Sequence, residues 1–550
     1  MDKLNQFLVK IDGYLGSSNW FPILLLGTGI FFTIYLKFPQ IRYFRHALRI
    51  LSGKYEKDTM PGDTTHFQSL TTALSGTVGT GNIGGVGLAL FIGGPAALFW
   101  MWVTAFLGMT TKFVECTLSH KYRITSKDGT IAGGPMYYME RGLKMKWLAV
   151  LFAIGTIICA FGTGNMPQVN NISTSLAATL DIPPWATGGV LAVLLGLIII
   201  GGIKRIARVT KILVPFMCVV YVSGALLVVI THIDNLIPGL ARIFTDIFSG
   251  SAATGGFLGS TFGFALTKGV GRGLYSNEAG QGSAAIAHSA AKADEPVSEG
   301  MVAILEPFID TLVICTLTGL TIICSNVWTQ KHMNDFQSTD MVIVAGDYAD
   351  DNPNDVAQLS AFYTGDKSSV KPLNGTLKID NGHMAEGQAV TVLNARSIAE
   401  EMTFSRNGKP ISEKLVVQDG IIQTEVTIRG KSLVHSALLT ATAFSQTFLG
   451  DKGALIVSLG LLLFAFSTVI SWSYYGDRAV TYLLGDKFIL PYRLLYIIAF
   501  FVAALVDTTI VWSLAAIAIV AMTVPNLLGI LLLHRDMKRT VQDYWENFKG

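Results

Sequence analysis

The sequence predicts an all-α polytopic membrane protein: two inverted sets of five helices, one extra helix in front, and a small β-rich exterior insert. Three observations carry that prediction. The 550 residues are 51% hydrophobic and only 14% charged, against about 25% charged in soluble globular proteins. Apolar segments of membrane-spanning length recur with loop signals between them. The first member of each set of five is interrupted by glycines.

The predicted spans are 20–36, 68–92, 96–118, 147–164, 185–203, 209–230, 255–290, 297–327, 453–484, 491–506 and 511–533. Residues 1–19 read as a short amphipathic segment at the interface, without the basic start of a cleavable signal. Arg42, Arg45, Arg49, Lys54 and Lys57 follow the first span, and Lys121, Arg123, Lys127 and Arg141 the third. Lys204, Arg205, Arg208 and Lys211 follow the fifth, whereas the loops 93–95 and 181–184 carry no Lys or Arg. The positive-inside rule then places the N-terminus outside and the C-terminus in the cytoplasm. The chain divides into 1–67 (interfacial segment, extra helix, basic cytoplasmic loop), 68–230 (first repeat) and 231–328 (exterior connection and start of the second repeat). The remainder is 329–433 (insert), 434–535 (lid helix and rest of the second repeat) and 536–550 (cytoplasmic tail).

The second span reads QSLTTALSGTVGTGNIGGVGLALFI, and its middle, 75–87, holds six glycines, two threonines and an asparagine. Glycine costs roughly 1 kcal/mol per helical position relative to alanine. Unwound backbone at membrane depth is tolerated only where it is buried in protein or lines a polar cavity. A discontinuous helix, with carbonyls for an ion and an N-terminus for an anionic group, fits this stretch. Close helix packing through Gly76, Gly79 and Gly84 fits it as well. The matching break in span seven tips the balance. Five spans is an odd number, so the second set runs opposite to the first, and paired broken helices in inverted repeats mark a secondary transporter.

Span seven is long, glycine-rich and carries Lys268, Arg272, Asn277 and Glu278 in apolar surroundings. Ionisable groups there usually face a pathway or a partner, although Lys268 could equally snorkel. In span nine, Ser467 and Thr468 either back-bond to their own helix or give oxygens to a hard cation. Trp472, one turn on, walls a substrate or anchors the interface. Asn165, Gln168, Asn170 and Asn171 end span four, as ligands for a zwitterion or as caps. Lys112 and Glu115 share a helix face, as do Glu306 and Asp310; the latter pair is either a shared-proton site or part of a structural network. The histidines show no metal spacing and read as lone structural or solvated groups. Cys116, Cys159, Cys218, Cys315 and Cys324 all fall in apolar spans and read as buried thiols.

Between spans eight and nine, 329–433 is polar, with Asn407-Gly408 and Asp419-Gly420 each between β-prone runs, the signature of two-residue hairpins. Residues 434–448 are too short and polar to span and read as a re-entrant or lid-like helix. No basic stripe with aromatics suggests nucleic acid, and no nucleophile motif or cofactor fingerprint supports an enzyme.

Five blocks resemble the sodium:alanine symporter family: GTVGTGNIGGV (76–86), GGPAALFWMWVTAFLG (93–108), AGGPMYYMERGL (132–143), RGLYSNEAGQGSAAIAH (272–288) and LLLFAFSTVISWSYYGDR (461–478). The resemblance covers 20–328 and 434–535. It implies a leucine-transporter-type core of ten helices behind one extra helix, in the cytoplasmic membrane. It also implies sodium-driven import of small neutral amino acids, alanine first, with glycine and serine as further substrates and no organic cofactor. By motif, Thr80 and Gly81 would hold the substrate carboxylate, and carbonyls around Thr77 its amino group. Asn165 and Gln168 are further substrate candidates, and Trp472 would limit side-chain size. Ser75 and Val78 carbonyls with Ser467 and Thr468 hydroxyls would hold sodium, and Asn82 is a candidate ligand for a second ion. The insert departs from the family pattern and raises an exterior partner, as in a transporter-like sensor. Proton coupling is the alternative to sodium.

Overall fold

A computed structural model describes all residues except 1, 17, 19, 56–59, 127–128, 250–268, 274–275, 339, 365–367, 507 and 549–550. The principal helices before the insert are α1 (Asp2–Tyr14), α2 (Trp20–Tyr35), α3 (His66–Thr77), α4 (Val86–Gly93), α5 (Ala96–Lys121) and α6 (Lys146–Phe161). They continue as α7 (Met166–Leu180), α8 (Pro184–Ile199), α9 (Gly202–Thr231), α10 (Leu236–Ser249), α11 (Ser283–His288) and α12 (Pro296–Ser325). After the insert come α13 (Ser436–Ser445), α14 (Asp451–Leu484), α15 (Ile489–Ala503), α16 (Thr509–Leu532) and α17 (His534–Asn547).

Among the described residues, six helices are each long and apolar enough to cross a bilayer: α5, α6 continuing into α7, α9, α12, α14 and α16. The pair α3 and 81–93 passes the same test together and bends by 56°, giving up to seven spans against the eleven expected. The apolar helices α2 and α8, at 16 residues each, fall short of the length that test requires. The first part of expected span seven, with Lys268 and the glycines at 255, 256, 259 and 263, lies outside the described residues. The chain is a mostly helical, multi-pass membrane protein.

Helix α3 begins with a capping box, in which Thr65 accepts from the Gln68 N–H and the Gln68 side chain accepts from the Thr65 N–H. Two orphan donors at its start are thereby satisfied. It stops at Thr77, where Val78 turns extended, and Gly81–Gly85 resume as a π-helical turn leading into α4. The long α14 packs against α3, α6, α7, α9 and α13, which puts its middle beside the break. Helix α13 lies on the resumed half, where the Thr440 hydroxyl donates to the Ile83 carbonyl at 3.1 Å. All five cysteines are free, four of them fully buried and Cys218 partly so.

Between α12 and α13 the described residues form three four-stranded sheets, all with antiparallel pairings. Both expected hairpins are present. Asn407 (φ 51°) and Gly408 (φ 73°) join strands Glu400–Arg406 and Lys409–Pro410. Asp419 (φ 49°) and Gly420 (φ 78°) join Lys414–Gln418 and Ile421–Ile422. Two successive positive φ angles match the twist of the flanking strands.

Candidate functional site

The break between α3 and α4 opens onto a small cavity of about 20 Å³, lined by residues of five segments of the chain. From the break come Gly76, Thr77, Gly79, Thr80 and Gly81; from the α6–α7 turn, Thr163 and Gln168. Segment 276–282 adds Glu278 and Gln281, α14 adds Thr468 and Trp472, and α16 adds Ile519. Thr80 and Gly81 also line a second cavity of about 680 Å³, together with Ser436, Ala437 and Ala441 of α13. The small chamber is therefore continuous in its lining with a large vestibule beside α13.

Each wall has a local cause. Gly162–Gly164 interrupts α6 and α7, and the Gly164 carbonyl freed there accepts from the Tyr496 hydroxyl at 3.1 Å. A Cβ on Gly164 would overlap the ring of Trp472, so glycine is what lets that indole reach the cavity. Trp472 is 1% exposed and its Nε1–H donates to Glu278 Oε1 at 3.3 Å. Glu278 sits at φ 53° and accepts from the Ser283 hydroxyl at 2.5 Å. Of the two alternatives for the break in span seven, 276–282 reaches the cavity through Glu278 and Gln281; part of 267–273 is not described.

The seam between α3 and α14 is built from oxygens without formal charge. Ser75 Oγ–H donates to the Ser467 carbonyl at 2.7 Å, and Ser467 Oγ lies 3.3 Å from the Ser75 carbonyl. Thr468 Oγ1 lies 3.5 Å from the Val78 carbonyl. Both hydroxyls also donate back to the Phe464 carbonyl, at 2.8 and 3.0 Å. Back-bonding and cation binding are thus compatible, because the spent hydrogens leave the lone pairs on the seam. Hard cations take oxygens at about 2.4 Å, which sets neighbouring ligands about 3.4 Å apart in an octahedron. Gly79 keeps this seam tight, since a Cβ there would stand 2.7 Å from Thr468 Oγ1.

The remaining candidates divide. Gln168 donates to the Thr163 carbonyl at 2.9 Å, while its buried Oε1 has no hydrogen-bond partner among the described residues. That acceptor suits an ammonium group. Asn165 does not line the cavity; its Nδ2 donates to the Tyr496 carbonyl at 2.9 Å. Asn82 turns away from the chamber: its Oδ1 accepts from the Gly79 N–H at 2.8 Å and its Nδ2 donates to Asp310 Oδ1 at 2.6 Å. Asp310 also accepts from the hydroxyls of Ser276 and Thr311, each at 2.7 Å. Sequence reasoning missed Thr163, Gln281 and Ile519 as wall residues and the Asn82–Asp310–Ser276 network behind the break. The GTG run at 162–164 was the available signal for Thr163.

Of the two readings left open for Glu306 and Asp310, the contacts follow the structural network. Glu306 and Asp310 do not bond each other; Glu306 Oε1 accepts from Lys112 Nζ at 2.9 Å, with both side chains fully buried. Glu115 accepts from Asn526 Nδ2 at 2.8 Å. His66 and His288 are not lone histidines, because both bond the carboxylate of Glu299 through Nδ1.

A multi-pass membrane protein with a broken helix, a buried polar chamber at the break and a vestibule beside it has the organisation of an ion-coupled transporter. The sodium:alanine symporter family model matches residues 1–347 and 417–550, leaving 348–416 of the insert outside the match. The sodium/alanine symporter AgcS of Methanococcus maripaludis is 37% identical over 532 residues, covering 96% of this chain and 94% of the relative. An uncharacterised transporter of Haemophilus influenzae is 34% identical over 548 residues, covering 99% and 97%. The probable sodium/glutamine symporter GlnT of Bacillus subtilis is 37% identical over 332 residues, covering 60% and 67%. The chain belongs to the sodium:alanine symporter family. It is a transporter rather than an enzyme, with cation-coupled amino-acid symport as its activity.

Proposed function

We propose that the protein imports small neutral amino acids, alanine foremost and then glycine and serine, driven by sodium through alternating access. The observation that carries this reading is the chamber at the α3–α4 break. Thr77, Thr80, Gly81, Gln168 and Trp472 meet there, with Thr468 on its edge. The substrate carboxylate faces Thr80 and Gly81 at the N-terminal end of the resumed helix, where the dipole favours an anion. Its ammonium faces Gln168 Oε1 and the backbone around Thr77. Trp472 and Ile519 leave little volume beyond the α-carbon, which favours alanine over larger side chains. Sodium takes the carbonyls of Ser75 and Val78 and the hydroxyls of Ser467 and Thr468. Asn82, bound to Asp310, acts in this reading by orienting the break, or as a ligand of a second ion after rearrangement.

The same reading keeps the leucine-transporter-type plan of ten core helices with α2 in front, eleven spans in the cytoplasmic membrane, and the domain limits given above. The N-terminus and the insert are outside and the C-terminus is cytoplasmic. An exterior partner for the insert rests on the sequence alone.

Uptake of labelled alanine into proteoliposomes, with an inward sodium gradient and then with a proton gradient alone, tests the proposal. Accumulation above the outside concentration under the sodium gradient is the expected result. Binding without gradient-driven accumulation would favour a sensor, and accumulation under the proton gradient alone would move the coupling to protons.

A further inference from the structure

The N-terminal end of α3 is held by a chain of buried ionisable groups that the transport chemistry above does not use. His66 Nδ1 bonds Glu299 Oε2, and Glu299 Oε1 bonds His288 Nδ1 at 2.5 Å. Glu306 Oε1 is held by Lys112. Between these two halves, His288 Nε2 and Glu306 Oε2 face each other at 3.8 Å, beyond hydrogen-bond range. Both atoms are buried and neither has a hydrogen-bond partner among the described residues.

With Glu299 ionised, each Nδ1 carries the proton that it donates. A neutral His288 then turns the bare lone pair of Nε2 toward a carboxylate oxygen. One proton on Nε2 converts that opposition into a charge-assisted hydrogen bond and breaks no other contact. We propose that His288 and Glu306 form a proton-binding site, and that sodium at the α3–α14 seam and the proton at this site oppose each other's binding.

The surroundings define the charge balance. Helix α5 presents Lys112, Glu115, Cys116 and His120, and Arg123 follows it with its guanidinium on the Ser289 and Ala291 carbonyls. Helix α3 contributes His66, and α12 contributes Glu299, Glu306 and Asp310. Glu278 lies ahead of α11 and Asp63 ahead of α3; α14 brings Tyr474, Tyr475, Asp477 and Arg478. A proton on His288 and a sodium ion at the seam are like charges in the same low-dielectric bundle, so each raises the cost of the other. His66 and Ser75 are nine residues apart on α3, about 14 Å along the axis. At about that distance, with an effective dielectric near 20, like charges weaken each other's binding roughly sevenfold.

The inference goes beyond the transport reading and rests on it for sodium as the opposing ion. Its test is sodium binding to the purified full-length protein in weakly buffered detergent solution, with a pH-indicator dye reporting protons. Expected are a release of part of a proton per sodium bound and a several-fold loss of sodium affinity from pH 8.5 to pH 5.5. His288→Asn keeps an N–H toward Glu299 and lacks Nε2; His288→Gln keeps a permanent donor toward Glu306. Both should bind sodium with affinity that does not change with pH and release no proton. A wild-type affinity flat across that range, a wild type that releases no proton, or a variant with the wild-type pH profile would overturn the proposal. The wild-type measurements decide the matter even if neither variant folds. Sodium binding without proton release removes the proton site alone; no sodium binding at any pH removes the sodium site of the transport reading with it.

Discussion

The two ends of α3 are built in opposite ways. At the C-terminal end the hydrogen bonds to α14 join uncharged hydroxyls and carbonyls, among them those of Ser75, Val78, Ser467 and Thr468. At the N-terminal end His66 joins Glu299, and the chain continues through His288 and Glu306 to Lys112. A fixed charge must stay paired inside a low-dielectric interior, because one left alone costs several kcal/mol. Neutral oxygens carry no such obligation. A seam of dipoles therefore suits a metal ion that arrives and leaves, whereas the paired charges at the other end hold the helix whether or not that ion is bound. The contrast supports placing the exchanging sodium of the proposed reading at the neutral end.

Mutations at the two ends should separate accordingly. Lys112→Met leaves Glu306 buried without its partner and should cost about 3–5 kcal/mol of stability. It is expected to abolish recovery of monodisperse protein, and a double change with Glu306→Leu should restore part of it. Gln168→Met removes the acceptor for the ammonium, about 1.5–3 kcal/mol for a charged hydrogen bond. The KM for alanine should rise at least tenfold with sodium affinity unchanged; an equal loss of both would place Gln168 in a structural role. Ser467→Ala with Thr468→Ala should weaken sodium activation about tenfold, or 1.4 kcal/mol, with normal insertion. Unchanged activation in the well-inserted double variant would take the ion away from this seam. Asn407→Val forces a β-branched residue into a left-handed turn position and should destabilise the insert by about 1–2 kcal/mol. Sodium-driven uptake is expected to be unaffected, and limited proteolysis should report the loosened hairpin.

Some of this was open to the sequence because the forces are local. Six glycines within 75–87 weaken any continuous helix wherever the chain is placed, and the break is found at 78–80. Asn-Gly and Asp-Gly admit the positive φ angles of a tight hairpin, and both hairpins are found. Ser467 and Thr468 stand out as adjacent hydroxyls in an apolar run and do meet the break. What 250–268 contributes lies outside the described residues.

Other choices had no local cause. Asn165 and Gln168 are three residues apart and chemically alike, yet only Gln168 lines the chamber. The turn at 162–164 and the carbonyl of Tyr496 decide between them. Glu306 and Asp310 were placed on one face by 3.6-residue periodicity. A π-helical stretch, Phe308–Cys315, breaks that register, because each wide turn shifts the residues that follow around the axis. Glu306 is thereby paired with Lys112 and Asp310 with Asn82.

By itself the sequence determined that this chain is a multi-pass membrane protein, where its glycine-rich helix at 68–92 breaks, and which family's motifs it carries. These follow from composition and backbone preference, which act over a few residues. Only the tertiary structure decided which amide faces the chamber, which carboxylate meets which cation, and that His66, His288 and Glu299 form one chain. A buried polar group must find its partner wherever packing brings one, and that partner here lies 11 to 233 residues away.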